Sequence, residues 1–496
     1  MVRTILVVGA SGYIGSNLVP KLAQRGYSVK ATGRNLSLLN KKGWNKLDNV
    51  SLHYLDLDEK SDLTELLSDV DLVFFLVHGM THGHDFIDYE IEAAQHFSDG
   101  LKQSQVKHVI YLGALQGNNS DSKHLIARKA TGEILRQSEK PVTELRAGII
   151  IGPGSAAFEV MCDFVYHLPI MLTPKWVTSR NSPIALCNLL HYLFELINMP
   201  PSSHRIWDVS GPEQMSYKDQ MIRLGKIIHK PIRVLPIPFL SPTLAAYWLR
   251  FITSVPTNIA KALIGGLRFD LPADGTQIQQ AIPQTLLTYE EAVSIALKKQ
   301  VEVVANPIWG FDPDAIERWQ TGYGYYPKQA GYTLKTDASL DALWQQIQRL
   351  GTPGTEYFFA NSLWHLREWM DKIIGGNACE RYRRDPDTLQ LGDRIDSWKV
   401  IALEDKHFIS LLFGMKAPGL GRLEFTIKDH GNYRTLDIRA WWHPAGFSGL
   451  LYWFAMMPAH LFIFRGMTHA VAKKSKAHIK KEKLIPNNQL RPLLYK

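Results

Sequence analysis

The stretch that decides the fold is Thr4-Ile5-Leu6-Val7-Val8-Gly9-Ala10-Ser11-Gly12-Tyr13-Ile14-Gly15. Its first five residues form a β-branched run without alternation, which predicts a strand buried on both faces of a parallel sheet. Three glycines at a spacing of three follow, and a helical pattern, Ile14–Arg25, begins among them. A strand, a glycine turn and a helix in this order are typical of a loop that binds the phosphates of a dinucleotide.

Strand-like runs alternate with helical patterns behind this stretch, up to about residue 151. The runs are Ser28–Thr32, Ser51–Leu55, Asp71–Val77, His108–Leu112 and Val142–Ile151. This alternation predicts an α/β fold, a doubly wound parallel Rossmann sheet. Proline-rich connections separate the helical segments from about residue 153, and we assign that part to a substrate lobe of the same domain, residues 1–300.

A different pattern occupies the rest of the chain. Four strand-like runs, separated by turn sequences such as Asp429-His430-Gly431-Asn432, are Ser397–Leu403, Phe408–Met415, Arg422–Lys428 and Tyr433–Trp442. Short turns between such runs indicate antiparallel pairing. With the long apolar segment that follows, they predict an α+β domain over residues 301–472, and a basic tail at residues 473–496.

The charge of the 496-residue chain is concentrated at its end. Lys and Arg exceed Asp and Glu by 56 to 47, a formal net charge of +9, and eight basic residues and one acidic residue lie between Lys473 and Lys496. A nucleic-acid-binding domain spreads its basic residues over a folded face, so we expect no nucleic-acid partner. The tail instead allows contact with an anionic membrane surface, or it is a solvated terminus.

Residues 440–464 contain no Asp, Glu, Lys or Arg. Such a segment is long enough to cross a bilayer, so three interpretations remain open: a buried helix, a helix at the membrane interface, and a spanning helix. Phe454, Met457, Leu461 and Phe464 recur at helical spacing, which favours a helix packed on a sheet. Because residues 1–8 lack the pattern of a signal peptide, we expect a cytoplasmic protein, with peripheral attachment at the inner face of the cell membrane as the alternative.

The spacing G-x-x-G-x-x-G resembles that of the short-chain dehydrogenase/reductase superfamily, in its extended, epimerase-like and atypical branches. Asp56-Leu57-Asp58 and the stretch from Glu144 to Gly152 extend the resemblance, which covers residues 1–300. Residues 413–421 and 458–467 resemble an uncharacterised helix-grip-like domain, of the START/SRPBCC type, found in YbjT-like bacterial proteins. Helix-grip domains hold apolar molecules, so this resemblance implies a hydrophobic or lipid-like ligand.

The resemblance implies a nicotinamide dinucleotide held by the glycine loop, Gly9, Ala10, Ser11, Gly12, Tyr13, Ile14 and Gly15. Arg34 stands at the end of the second strand, where NAD-specific sites usually carry an acid. Because a guanidinium can bind a 2′-phosphate through two hydrogen bonds, we favour NADP(H) over NAD(H). The resemblance also implies that Asp56 lies near the adenine amine, and Val77 and His78 beside the ribose and nicotinamide.

The superfamily's reductases use a Tyr-x-x-x-Lys pair and a serine for catalysis, and two of these three residues are absent here. Lys129 stands in about the position of the lysine, but Leu125 replaces the tyrosine, and the strand ends in Leu112-Gly113-Ala114 where the serine is expected. Lys129, His124 and His78 remain weak candidates for the missing chemistry. His78, His82 and His84 form a dense cluster, interpreted as loop polarity, ligand contact or a metal site; the sequence has no recognisable metal motif, so we expect no metal.

Two functions remain open from the sequence. The first is an NADP(H)-dependent oxidoreductase acting on a quinone, an isoprenoid or a lipid-like carbonyl compound. The second is a non-catalytic NADP(H)-binding sensor or accessory subunit, similar to the NADPH-binding subunit of respiratory complex I. Lyase or epimerase-like chemistry is a third, weaker reading, and whether the protein is an enzyme at all stays undecided.

Overall fold

The structure is a computed structural model, in which two separate sheets organise the chain. It describes residues 4–59, 61–79, 86–117, 122–201, 204–237, 251–255, 259, 266, 268–308, 312–320, 322–376, 383–385, 387–476 and 478–485. The sequence-based predictions for His82 and His84 lie outside the described residues.

The first sheet has seven parallel strands and confirms the predicted Rossmann architecture. Its strands are β1 (Thr4–Val8), β2 (Ser28–Gly33), β3 (Val50–Tyr54), β4 (Leu72–Phe75), β5 (His108–Ala114), β6 (Val142–Ala147) and β7 (His204–Val209). They lie in the order β7-β6-β5-β4-β1-β2-β3. The strand order reverses beside β1, which is where ligands bind in sheets of this kind.

Helices cover both faces of this sheet and form the substrate lobe. They are α1 (Tyr13–Gln24), α2 (Leu36–Lys41), α3 (Thr64–Leu67), α4 (Phe86–Lys102), α5 (Lys123–Arg136), α6 (Ala156–His167), α7 (Leu186–Asn198), α8 (Tyr217–Ile227), α9 (Thr276–Ala281) and α10 (Tyr289–Ile308). Successive residues of β1 enter opposite cores: Val7 packs with Leu18 of α1, and Val8 with Phe97 of α4. Burial on both faces explains the unbroken apolar run.

Short strand pairs complete the first domain. They join Ile150–Ile151 to Ile184–Ala185, Arg180–Asn181 to Met215–Ser216, and Ile170–Pro174 to Arg233–Ile237. The predicted run Val142–Ile151 was therefore wrong in one respect. The chain leaves the main sheet after Ala147, and Gly148 turns it towards the lobe.

The second sheet is antiparallel throughout. Its strands are β8 (Lys328–Thr336), β9 (Arg394–Ile395), β10 (Trp398–Glu404), β11 (Phe408–Phe413), β12 (Gly419–Asp429), β13 (Arg434–Pro444) and β14 (Ile479–Ile485), in the order β9-β10-β11-β12-β13-β8-β14. The helices of this part are α11 (Pro313–Arg318), α12 (Leu340–Gln348), α13 (Asn361–Ile373), α14 (Gly446–Ala455) and α15 (Met457–Lys474). The four predicted runs are all strands, which confirms an α+β domain.

Strand β14 corrects the predicted basic tail, because residues 479–485 are part of the sheet. They pair with β8 at its free edge. Lysines are common on edge strands, where they discourage further strand addition, and the charged stretch Lys480–Lys483 hid this strand from pattern analysis.

The long apolar segment forms two helices, α14 and α15, bent by 52° at the break between them. Among the described residues, no unbroken helix has the length and apolar composition of a membrane span, and this bent pair meets those two criteria only when taken together. Met467 and Val471 of α15 are fully buried against the sheet. A hydrophobic ligand of the second domain stays a prediction.

Candidate functional site

Two cavities meet at the glycine loop, at the carboxyl ends of β1 and β4. One, of about 130 Å³, extends towards the end of β2 and includes Ser11, Arg34 and Tyr89 in its lining. The other, of about 260 Å³, extends towards β5, β6 and the substrate lobe. Gly9, Gly12, Leu76 and His78 line both. The arrangement offers an elongated ligand two compartments with the glycine loop between them.

The glycines of the loop are required by close backbone contacts. Gly9 has φ +86°, a conformation that favours glycine, and a Cβ atom at Gly15 would lie 2.6 Å from the carbonyl oxygen of Gly9. A Cβ atom at Gly12 would meet only that oxygen, at 3.2 Å, and would otherwise enter open space. The loop thus leaves room above Gly12 at the N-terminus of α1, as a bound pyrophosphate requires.

The predicted loop residues divide between the two compartments and the core. Ala10 is fully buried, and its backbone N–H donates to the carbonyl oxygen of Thr32 in β2. Ser11 lines the smaller cavity, and Tyr13 and Ile14 line the larger one. Burial raises the pKa of the Tyr13 hydroxyl well above its ordinary value, so this group stays protonated.

The Arg34 side chain gives the smaller cavity a cationic group in its lining. The guanidinium carbon of Arg34 lies 5.8 Å from the centre of the Tyr89 ring. Lys42, which the sequence analysis missed, donates from its Nζ to the Ser16 hydroxyl at 2.9 Å in the first turn of α1. In the sequence, Asp56 stands between Leu55 and Leu57, which both line this cavity. Its carboxylate accepts a hydrogen bond from the backbone N–H of Asp58 at 3.2 Å.

Two buried charges hold the loop that follows β4. Arg128 of α5 donates to the carbonyl oxygen of Val77 at 3.0 Å, and Glu90 of α4 accepts from the N–H of Gly79 at 2.5 Å. Burial raises the pKa of Glu90, and the positive charge of Arg128 opposes that rise. The backbone is therefore anchored on both sides of His78. No sequence motif marks Arg128 or Glu90, and only the fold brings them together.

The larger cavity is mainly apolar. Its apolar lining comes from the ends of the strands and from the substrate lobe: Leu112, Ala114, Leu115, Leu125, Ala147, Ile149, Ile150, Ala156, Ala157, Ile259 and Leu271. Its polar side chains are fewer: Tyr13, His78, His124, Arg128, Ser155, Asn181, Tyr217 and Tyr326. A largely apolar pocket with a few polar groups is typical of a small-molecule site.

The catalytic candidates have different positions relative to this cavity. Lys129 is exposed on the outer side of α5, 3.9 Å from the carboxylate of Glu133, and does not line the cavity. His124 lines it, but burial, with the nearby Arg128 and His78, lowers the pKa of His124 to about 3. At neutral pH the His124 imidazole is therefore uncharged and is a poor acid. His78 lines both cavities, as expected for a residue beside the cofactor.

The second domain also contributes to this cavity. Tyr326, two residues before β8, lines it, and its hydroxyl donates to the carbonyl oxygen of Gly154 at 3.0 Å. On the other side of the same loop, the N–H of Gly154 donates to the buried carboxylate of Glu159 at 2.7 Å. The substrate lobe and the second domain thus meet at the wall of the cavity.

A buried polar cluster fixes this junction. Asp163 of α6 accepts hydrogen bonds from the Thr253 hydroxyl at 2.6 Å and from the Ser254 N–H at 3.2 Å. Lys328 of β8 donates to the carbonyl oxygen of Thr253 at 2.8 Å. Burial lowers the pKa of Lys328 to about 8, and the charge of Asp163 limits that fall. In the described parts of the chain, no group of three or more His, Cys, Asp or Glu side chains is arranged to hold a metal ion.

Two protein families match separate parts of the chain. Residues 1–151 match the NmrA-like family, and residues 329–467 match a family described as "Protein of unknown function (DUF2867)". The first match covers six of the seven strands of the first sheet and ends before β7. The second match begins within β8 and ends within α15.

Individual relatives are distant. A UDP-glucose 4-epimerase of Vibrio cholerae is 23% identical over 319 residues, which cover 58% of this chain and 93% of that protein. A (4-alkanoyl-5-oxo-2,5-dihydrofuran-3-yl)methyl phosphate reductase of Streptomyces griseus is 23% identical over 237 residues, 46% of this chain and 75% of that protein.

Two solved structures illustrate the range of similar chains. A nucleoside-diphosphate-sugar epimerase of Staphylococcus aureus has a TM-score of 0.48 at 16% identity, and covers 59% of this chain and 99% of its own. The Citrobacter sp. triphenylmethane reductase complexed with NADP(H) has a TM-score of 0.48 at 15% identity, with the same coverage. The chain therefore joins an NmrA-like, epimerase-like NAD(P)-binding Rossmann domain to a separate domain that matches DUF2867.

Proposed function

We propose that this protein is an NADP(H)-dependent oxidoreductase that reduces an apolar substrate such as a quinone, an isoprenoid or a lipid-like carbonyl compound. The observation that carries the proposal is the junction of the glycine loop with a cavity lined mainly by Leu, Ile and Ala side chains. A bound nicotinamide would supply the hydride, and the chain would supply the apolar surface against which the acceptor is held.

The preference for NADP(H) rests on charge at the end of β2. Arg34 lines the smaller cavity, and the next residue is Asn35, so neither position offers a carboxylate to a ribose 2′-hydroxyl. Lys42 adds a second positive charge near the first turn of α1. A 2′-phosphate can accept charge-assisted hydrogen bonds from such cationic side chains, and these bonds are stronger than those of a neutral 2′-hydroxyl.

The side chains that line the larger cavity favour hydride acceptors that need little proton donation from the protein. Leu125 and Ala114 line the cavity where the superfamily would place its tyrosine and serine, and Lys129 lies outside it. His124 is neutral because its pKa is lowered to about 3 by burial and nearby positive charge. A quinone needs less proton donation during hydride transfer than a simple ketone, since its developing negative charge is delocalised over the ring.

The same observations support a second candidate, a non-catalytic NADP(H)-binding sensor or accessory subunit. A chain that binds the dinucleotide but has Leu125 where the superfamily has its catalytic tyrosine could serve as a stable cofactor-loaded module. The two candidates differ in one measurable property, steady-state oxidation of NADPH. Oxidation across a panel of short-chain quinones and apolar ketones supports the oxidoreductase, whereas tight NADPH binding without turnover supports the sensor or subunit.

Calorimetric titration of the purified full chain tests the cofactor preference. Arg34→Glu should weaken NADPH binding by about 10- to 150-fold, the equivalent of one charge-assisted hydrogen bond of about 1.5–3 kcal/mol, and should change NADH binding much less. Lys46→Glu is the matched control, because Lys46 is exposed in the same domain and does not line the cavity. If Arg34→Glu weakens the binding of NADPH and NADH equally, Arg34 does not determine the cofactor preference.

A further inference from the structure

The second domain exposes an unusually apolar helix. On α13, the side chains of Leu366, Trp369, Met370 and Ile373 are between 51% and 62% exposed, and Ile374 directly after the helix is 52% exposed. Their spacing of three and four places Leu366, Met370 and Ile373 on one stripe. Trp364, on another side of the helix, is buried and stacks on Tyr357, so the helix is docked to its domain and exposes apolar side chains on its free side.

The bent helix pair α14 and α15 exposes a second apolar stripe. Phe447 and Leu451 of α14 are 55% and 61% exposed, and Phe462 of α15 is 56% exposed. Phe462 contacts the ring of Phe359 at 5.1 Å, immediately before α13 begins. The two stripes therefore belong to neighbouring parts of one surface, which we call the apolar face: Leu366, Trp369, Met370, Ile373, Ile374, Phe447, Leu451 and Phe462.

The exposed charged groups beside the apolar face are mostly basic, and the partly exposed Glu356 pairs with His365 at 3.1 Å. Besides its apolar side chains, α13 exposes Ser362, His365 and Lys372, whereas its Asp371 is buried and the side chain of Glu368 is only 16% exposed. Lys416 reaches the end of the face, where its Nζ donates to the carbonyl oxygen of Ile374 at 3.2 Å. Arg465 is exposed one turn after Phe462. An apolar stripe with tryptophan and a cationic rim is the pattern of helices that lie in a membrane interface.

We propose that the apolar face docks the protein on the surface of an anionic lipid bilayer, with α13 lying in the interface and the exposed stripe of α14 and α15 beside it. A spanning arrangement fits the structure less well, because Trp453, Phe464 and Met467 of the bent pair are buried in the core of the second domain. A second copy of the chain fits less well too, because like-charged rims would meet around such a contact. None of the residues of the apolar face lines the two cavities at the glycine loop.

Vesicle flotation of the full chain tests the proposal, with vesicles of phosphatidylcholine and phosphatidylglycerol compared with phosphatidylcholine alone. We expect the protein to float with the anionic vesicles and less with the neutral ones. Trp369→Glu combined with Ile373→Glu should lower the bound-to-free ratio at least about tenfold, because two large apolar side chains leave the interface. Trp369→Phe, which keeps an aromatic ring, should retain most of the binding.

Ile126→Glu combined with Ile206→Glu is the matched control. These side chains are 47% and 41% exposed on the first domain, and their substitution should leave flotation unchanged. Unchanged thermal unfolding and NADPH binding would show that the variants fold; Leu451→Glu provides a second variant if the first one does not. The proposal is overturned if the unmodified protein does not float, if the control variant loses as much binding as the test variant, or if Trp369→Glu abolishes a dimer instead.

Discussion

The glycine loop allows a quantitative prediction, because the backbone geometry gives the distances from an added methyl group to its neighbours. A Cβ atom at Gly15 would lie 2.6 Å from the carbonyl oxygen of Gly9 and 2.7 Å from the Cα atom of Ala10. The shorter distance is about 0.8 Å below ordinary van der Waals contact, and both neighbours are backbone atoms that cannot rotate away. Gly15→Ala should therefore shift the loop, at a cost of about 1–3 kcal/mol in the free energy of unfolding.

The same shift should weaken cofactor binding. A displacement of this size is enough to lose at least one charge-assisted hydrogen bond from the loop to a phosphate, which corresponds to about 10- to 150-fold in Kd. The assay is calorimetric titration with NADPH, beside thermal unfolding of the cofactor-free protein.

Two alanine variants separate the two effects. Gly12→Ala meets one neighbour at 3.2 Å, so it should unfold almost like the unmodified chain while blocking the space above the loop. Gly26→Ala points into open space at φ +81°, so it should cost about 1 kcal/mol of stability and leave NADPH binding unchanged. The reasoning is refuted if Gly15→Ala keeps both the original Kd and the original unfolding temperature.

Three further predictions concern charge and packing. Burial lowers the pKa of His443 and His460 to about 3, below the ordinary 6.5. As the pH falls below 6.5, these histidines are protonated in the unfolded chain but stay neutral in the native one. The free energy of unfolding should therefore fall, by about 2 kcal/mol per histidine at pH 5. Urea unfolding should show this fall between pH 7 and pH 5, and a smaller fall for His460→Gln. Lys328→Met should destabilise the chain by about 2 kcal/mol in the same assay, because it removes a charged hydrogen bond to Thr253 and leaves Asp163 buried. Arg128→Ala should raise the Kd for NADPH at least about tenfold by releasing the carbonyl group of Val77, whereas Lys129→Ala, on the exposed side of α5, should change neither binding nor turnover.

The sequence by itself determined the features that depend on neighbouring residues. The run from Thr4 to Gly15 predicted β1, the phosphate loop and α1 because strand, turn and helix succeed one another within a dozen positions. The four antiparallel runs after residue 395 were recognisable for the same reason, since each hairpin turn joins strands that are adjacent in the chain. Strand β14 was missed because it pairs with β8, about 150 residues earlier, and its pattern is dominated by lysine.

Only the tertiary structure decided which side chains reach the cavity. Arg128 and Lys129 are neighbours, but one residue is about 100° of rotation on a helix, so the first points inward and the second into solvent. Tyr326 reaches the cavity from another domain, 172 positions away from the Gly154 carbonyl group that it contacts. Burial, which no local pattern measures, keeps His124 neutral by lowering its pKa to about 3. The chemistry of this site depends on contacts between groups that are distant in sequence and on how far the fold buries them. Neither property can be predicted from a short stretch of sequence.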